Sequence, residues 1–408
     1  MTRLPRDVRL VLAAQALRGF AYGLGAVLLG RTLADLRLGA GRAGLVLAAT
    51  VAGTAVASVL VARYGDRVGR RRAYRLLYLL LAGTGVVLAF AGTAWPLVLI
   101  GLCGALSTEV IESGPFTSLE QAMLATGLSG RHRVHGFGFY NAVAALAGSL
   151  GALAAALPAL VRQLWSGAPA DQRWFLLFVP AALAGVLLAG RLTNQVEAPP
   201  LPGTTATRLG RSRPTVVRLS ALFALDSFAG GITVSAFIAY WLSARFHASG
   251  AEIGVTFAVL GLLQTASFLV APRLADRFGL LPTMVFTHLP SDLLLAAVAF
   301  APTLPVAIGL LLARTALSQM DVPTRQAYVM GMVEPAERTA AAAYTGTARY
   351  LTRPLGPPIA AAAAGLSPGL PFLLSGAIKA GYDLTLWAWF RRLPLQHPQP
   401  AAVAEETP

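Results

Sequence analysis

Along the whole chain, apolar runs of roughly twenty residues alternate with short connections rich in Arg, Gly and Pro. As a helix, such a run spans the ~30 Å hydrocarbon layer of a bilayer with every backbone polar group bonded inside the segment. Twelve windows meet this condition, near 9–34, 42–64, 73–94, 96–119, 135–160, 174–193, 215–243, 251–272, 280–301, 303–330, 338–365 and 368–390. The pattern predicts an all-α membrane protein with twelve transmembrane helices. Arg3, Arg6 and Arg9 precede the first window in the manner of a signal peptide, but the window is long and carries Arg18 in its middle. It is therefore read as the first membrane helix.

The chain also repeats itself. Arg63-Tyr64-Gly65-Asp66-Arg67-Val68-Gly69-Arg70-Arg71-Arg72 follows the second window, and Arg273-Leu274-Ala275-Asp276-Arg277-Phe278-Gly279 follows the eighth, with the two aspartates 210 positions apart. Ser118-Leu119-Glu120-Gln121-Ala122 corresponds to Pro323-Thr324-Arg325-Gln326-Ala327 at an offset of 205. Leu17-Arg18-Gly19-Phe20-Ala21 matches Leu225-Asp226-Ser227-Phe228-Ala229 at 208. Nearly constant offsets imply two related halves. The expected division is an amino-terminal bundle at 1–193, a cytoplasmic linker at 194–214 rich in Pro, Thr and Arg, a carboxy-terminal bundle at 215–393 and a disordered cytoplasmic tail at 394–408.

Composition agrees with the pattern. Of 408 residues 56% are hydrophobic and 12% charged, and the mean hydropathy is +0.63, too apolar for a soluble globule of this length. The net charge of +15 would suit a nucleic acid, but the arginines sit in short loops, at 63–75, 131–133 and 191–218. These are even-numbered connections or their flanks, which the positive-inside rule places in the cytoplasm with both termini. No soluble basic domain is left to bind nucleic acid. Cys103 is the sole cysteine, which excludes an intrachain disulfide and a cysteine metal cluster. Lys379 is the sole lysine among many arginines and alanines, a bias associated with GC-rich prokaryotic coding and hence with a bacterial plasma (inner) membrane.

The stretch Gly65-Asp66-Arg67-Val68-Gly69-Arg70-Arg71-Arg72 and its weaker copy Asp276-Arg277-Phe278-Gly279 resemble the signature of the major facilitator superfamily. There the motif Gly-x-x-x-Asp-x-x-Gly-Arg-Arg/Lys-Arg/Lys lies between the second and third helices; here Ala62 or Arg63 stands where the earlier glycine falls. The resemblance covers essentially the whole chain and implies two pseudo-symmetric six-helix bundles working by alternating access. It also implies a cytoplasmic latch of Gly65, Asp66, Arg67, Gly69, Arg70 and Arg71 with Asp276, Arg277 and Gly279, which breaks when the cavity opens inward. Physically, Gly65 and Gly69 permit a tight turn, and Asp66 can accept from nearby arginines or from N–H groups at a helix start. In the plainer reading these arginines only set topology.

Ionisable residues inside a bilayer are costly and are candidates for function. Arg18 and Asp226 lie about ten and eleven residues into the first and seventh helices, roughly 15 Å deep, at equivalent repeat positions with opposite charge. In the family these helices face each other across the cavity, which implies a cavity ion pair or a proton or substrate site. Glu109 and Arg314 repeat the pattern at an offset of 205 in the fourth and tenth helices. Glu112 shares the face of Glu109, and Gly114-Pro115 then interrupts the helix. The candidate substrate and proton cavity is thus Arg18, Tyr22, Glu109, Glu112, Asp226 and Arg314. Gln319, Asp321 and Arg325, around the helix-kinking Pro323, form a candidate inner gate. Lys379 with Asp383 and His288 with Asp292 have i, i+4 spacing on helices that are peripheral in the family, so structural pairing is expected and no metal site.

The expected function is secondary active transport, as proton-coupled efflux of a small organic compound or drug by a monomer, with substrate, protons and the lipid bilayer as partners and no cofactor. Drug–proton antiporters of the family usually carry an arginine in helix four and a Gly-Pro motif in helix five. Here Glu109 and Gly148-Ser149-Leu150-Gly151 stand there, while Arg314 and Gly356-Pro357-Pro358 occupy the second half. The alternatives are an uptake permease or facilitator for a polar or anionic solute bound by Arg18 and Arg314, and a non-transporting receptor on the same fold. No nucleophile and base pair or phosphate-binding loop stands out, so no enzyme is expected.

Overall fold

The computed structural model describes residues 5–107, 109, 114–127, 131–167, 169, 171–197, 209–334 and 337–393. Among these residues the chain is helical, without strands. The amino-terminal half comprises α1 (Arg6–Asp35), α2 (Ala40–Val68), α3 (Arg70–Phe90), α4 (Ala94–Leu102), α5 (Pro115–Gly127), α6 (Arg131–Ala154), α7 (Leu157–Leu164) and α8 (Phe178–Gly190). The carboxy-terminal half comprises α9 (Arg213–Ile232), α10 (Ser235–Phe246), α11 (Gly250–Phe278), α12 (Leu280–Val298), α13 (Leu304–Ser318), α14 (Asp321–Met332), α15 (Arg338–Thr352), α16 (Gly356–Leu366) and α17 (Leu370–Phe390). Glu112 and the tail 394–408 lie outside the described residues, as do positions 198–208 of the linker.

Among the described residues, eight stretches are long and apolar enough to cross a bilayer, including the unbroken Arg6–Asp35, Arg70–Phe90 and Gly250–Phe278. The other crossings are divided or polar. α4 and α5 are separated around Gly114, whose φ of +115° only glycine adopts easily. α13 and α14 part at Gln319-Met320, so that Pro323 falls in the first turn of α14, where its missing N–H is harmless. α15 and α16 are joined by a 3-10 turn at Arg353–Leu355. α17 carries Lys379 and Asp383. Large apolar side chains face outward, as at Leu99, Leu187, Leu269 and Phe300, which are 65, 67, 63 and 72% exposed. A lipid solvent makes this favourable, and water would not.

The closest packing uses absent side chains. A Cβ on Gly23 of α1 would stand 1.9 Å from the carbonyl oxygen of Gly148 in α6. Between the halves, a Cβ on Gly30 of α1 would stand 2.5 Å from the Ala236 carbonyl oxygen of α10, and one on Gly254 of α11 would stand 2.6 Å from that of Ala152 in α6. One on Gly44 of α2 would meet Ala361 of α16. Gly30 and Gly44 flank the first connection, and the basic signature lies at the opposite end of the bundle. The halves therefore meet at the end away from the basic loops, with a cavity between them.

Both signature copies end in the same backbone. Gly69 and Gly279 take φ of +93° and +90° and begin α3 and α12. Gly65 is not part of this turn, because α2 runs through it to Val68 and the chain reverses at one residue. The start of α3 is capped from a distance: the Glu197 carboxylate accepts from the N–H groups of Arg70 and Arg71 at 2.7 and 2.9 Å. Arg71 also donates to Asn194 Oδ1 at 2.8 Å and Arg70 to the Val196 carbonyl at 3.2 Å. The first residues of the expected linker, Asn194–Glu197, are thus a 3-10 turn docked on the signature. The Asp66 side chain lies outside the described part, while Asp276 and Arg277 are exposed. Arg67 stacks on the Tyr64 ring at 5.7 Å. At the start of α9, Glu337 does for Gly210 and Ser212 what Glu197 does for α3, at 2.9 and 3.1 Å. Those N–H groups, Gly210 first, hold its carboxyl below the usual range.

Candidate functional site

Each half buries one ion pair between its first and fourth crossings. In the amino-terminal half Arg18 of α1 donates to both oxygens of Glu120 in α5, Nε to Oε1 at 3.1 Å and Nη2 to Oε2 at 2.7 Å. Tyr74 of α3 donates to Oε1 at 2.8 Å and Tyr140 of α6 to Oε2 at 2.5 Å. Tyr78 donates to the Ala14 carbonyl at 2.6 Å, and Tyr22 to the Ala105 carbonyl at 2.9 Å. Arg18 and Glu120 are 1 and 0% exposed. The guanidinium also lies over the Tyr22 and Phe116 rings. A bidentate pair walled by aromatic hydroxyls is a sealed structural core.

The carboxy-terminal half repeats the pair with the signs exchanged. Asp226 of α9 takes the position of Arg18, and Arg325 of α14 that of Glu120, with Arg325 Nη1 at 3.5 Å from Asp226 Oδ2. Asp321 holds the same Nη1 at 2.7 Å. Here the pair borders the cavity, with the Phe223 ring against the Arg325 guanidinium at 5.6 Å. Lys379 of α17 donates to Asp226 Oδ1, and Asp226, Asp321, Arg325 and Lys379 all line the cavity.

An ion pair joins the halves. Glu109, in the non-helical interruption between α4 and α5, stands 3.2 Å from Arg353 Nη2 in the turn between α15 and α16. It also accepts from the N–H and hydroxyl of Ser235, both at 3.3 Å, where α9 gives way to α10. Three broken crossings thus supply the backbone freedom that brings these groups together.

The cavity between the halves measures about 710 Å³ and carries Arg314, Arg325, Arg349, Arg353 and Lys379 against Glu109, Asp226 and Asp321. Among the described residues, five cations face three carboxylates, a positive excess joined by Thr117, Gln121, Ser227, Gln264, Gln319 and Tyr350. Arg314 forms no ion pair among the described residues, and its buried Nε has no hydrogen-bond partner. Gln264 donates to Gln319 Oε1 at 2.7 Å.

Placement differs from the sequence expectations in several respects. Arg18 and Asp226 do not face each other, since each finds a partner within its own half. Arg18 and Tyr22 are sealed away from the cavity lining. Glu109 pairs with Arg353 in place of Arg314, and it is not helical, because the interruption begins well before Gly114. Gln319, Asp321 and Arg325 lie in the cavity wall. Lys379 turns to Asp226, and Asp383 to His288 at 3.0 Å, so α12 and α17 contribute to the charged interior. Glu120, Arg349 and Arg353 were missed as site residues. The signal for Glu120 was present, since Arg18/Asp226 and Glu120/Arg325 both invert charge at nearly one offset.

Comparison with known proteins agrees with this architecture. Residues 219–408 match the family model of the Major Facilitator Superfamily. An uncharacterized membrane protein of Saccharomyces cerevisiae is 24% identical over 421 residues, covering 94% of each chain. Among solved structures, a bacterial homologue of the human lysosomal transporter Spinster, inward-facing and occupied, superposes with a TM-score of 0.72 at 16% identity, covering 97% of this chain and 98% of its own. A D-xylose–proton symporter does so with a TM-score of 0.71 at 16% identity, covering 96 and 99%. With a carboxy-terminal half that matches the Major Facilitator Superfamily model and a fold shared end to end with solved transporters, this multi-pass membrane protein is similar to that superfamily along its whole length.

Proposed function

We propose that this transporter moves a small polar organic anion by alternating access, together with a proton carried on Glu109. The observation that carries the reading is Arg314, a guanidinium without an ion-pair partner among the described residues, in a cavity wall with an excess of positive charge. An anion spanning Arg314 and its neighbours supplies the missing acceptors. An apolar drug would leave them dehydrated and unpaired, at a cost of several kcal/mol.

Glu109 supplies the coupling because its carboxylate competes with the solute for Arg353. Protonation removes a negative charge from the site and frees Arg353, so proton and anion favour each other's binding. Ligands that bind together travel together, which supports symport and uptake over the proton-driven efflux that the sequence suggests. Efflux by antiport requires the two to compete. The basic loops mark the cytoplasmic end; with α1 and α10 closed at the other end, this is the state in which an importer releases its cargo.

Flux into proteoliposomes, with a panel of labelled mono- and dicarboxylates and sugar phosphates, tests the reading. An outside-acid gradient is expected to drive accumulation. Accumulation driven by an inside-acid gradient would restore antiport, and no flux under either gradient would favour a receptor. Glu109→Gln is expected to lose gradient-driven accumulation while keeping anion exchange. Arg314→Gln is expected to raise KM by about tenfold or more, as a charged hydrogen bond is worth about 1.5–3 kcal/mol.

A further inference from the structure

Beside the Asp226–Lys379 pair, α12 and α17 close on a second polar cluster that the proposed coupling of anion and proton does not use. His288 and Asp292 lie one turn apart on α12, and Asp383 reaches in from α17. His288 Nδ1 stands 3.3 Å from Asp292 Oδ2 and 3.0 Å from Asp383 Oδ2. His288, Asp292 and Asp383 are 4, 0 and 1% exposed. Their ligand atoms all fall within 4.8 Å of one another.

Two observations show that the cluster is incomplete as protein alone. Both carboxylate oxygens of Asp292 are buried without a hydrogen-bond partner among the described residues, an arrangement that costs several kcal/mol for a charged group. The lysine one turn before Asp383 cannot compensate, because Lys379 is engaged by Asp226. Among the described residues, two buried carboxylates thus share a single imidazole within ion-pair distance, with Arg314 near Asp292 but not paired to it.

We propose that His288, Asp292 and Asp383 bind a divalent transition-metal cation of the zinc type, which clamps α12 to α17. Imidazole nitrogen with two carboxylate oxygens is a donor set that suits such ions. Ligands at about 2.0–2.2 Å from a metal stand roughly 3.0–3.5 Å apart around it, the range of the two separations from Nδ1. A cation of charge two leaves the trio neutral with an uncharged imidazole. His288 also lines the cavity, which gives the ion a path from water to an otherwise closed site and leaves a coordination position for solvent.

The test uses the full chain in detergent, stripped with chelator and titrated with zinc chloride. The bound metal is counted by mass spectrometry and thermal unfolding is followed with and without it. One zinc per chain and a rise in the unfolding midpoint that chelator reverses are expected. Asp292→Asn and Asp383→Asn are each expected to weaken binding by at least about tenfold and to remove the rise. Wild-type protein that takes up no stoichiometric zinc overturns the proposal, whatever the variants do. Uptake that both variants retain, with the chain still eluting as a single folded species, overturns it as well.

Discussion

Replacing Glu120 by leucine is expected to leave the amino-terminal half barely able to fold. The substitution keeps the volume of the site and removes the one carboxylate that faces Arg18, whose guanidinium is 1% exposed and has Nη1 already unpartnered. Tyr74 and Tyr140 lose the acceptor of their hydroxyl protons in the same step. Breaking a buried pair from one side costs about 3–5 kcal/mol, against a net stability of about 5–15 kcal/mol for a folded domain. Thermal unfolding of purified protein should show the loss. A control separates the charge from the shape: Arg18→Met combined with Glu120→Leu should recover most of the lost stability, since an apolar pair of similar volume is tolerated where a lone ion is not. If the double variant is as unstable as the single one, packing and not charge governs the site.

Gly30→Val is expected to disable transport while leaving each bundle folded. A side chain there meets backbone atoms, the Ala236 oxygen at 2.5 Å and the Tyr240 nitrogen at 2.7 Å, together with the Ala239 Cβ at 2.6 Å. Backbone cannot yield as a rotamer can. The contact exists only while the halves are closed at the end away from the basic loops, so the variant penalises the described state and favours its opposite. An overpacking cost of about 1–3 kcal/mol shifts a two-state equilibrium by roughly 5- to 150-fold. Labelling reads this directly. In a Cys103→Ser background, a cysteine at the cavity-lining Ser118 should lose reactivity toward reagents added from the basic side and gain it from the other. Unchanged labelling would mean that the halves close without this contact.

The crossings, the division into halves and the break at Gly114-Pro115 were legible because each depends on residues near in sequence: runs of apolar side chains, a polar connection, a helix breaker. Choice of partner was not. From sequence spacing, Lys379 and Asp383 are natural neighbours one helical turn apart, and so are His288 and Asp292. In the fold Lys379 reaches Asp226, 153 positions away, and Asp383 reaches His288. Helix packing decides such pairings, and no local pattern encodes the rotation of α17 about its axis. Glu109 shows the same limit: its depth follows from counting residues, whereas its release from the helix toward Arg353 depends on an interruption longer than one Gly-Pro step. The repeat offered the most information beyond local pattern, because positions at a common offset share an environment even where their charges differ.

The exchanged signs of the two buried pairs carry a consequence for ancestry. If one ancestral gene was copied and joined to itself, both copies began with the same polarity at these four positions, and one of them later reversed. It cannot have done so through a single altered codon, because two like charges enclosed together would have denied the protein its membrane-embedded shape. A route through neutral residues at both positions avoids enclosing two like charges, so relatives with neutral residues at the places of Arg18 and Glu120, or of Asp226 and Arg325, would mark such a passage.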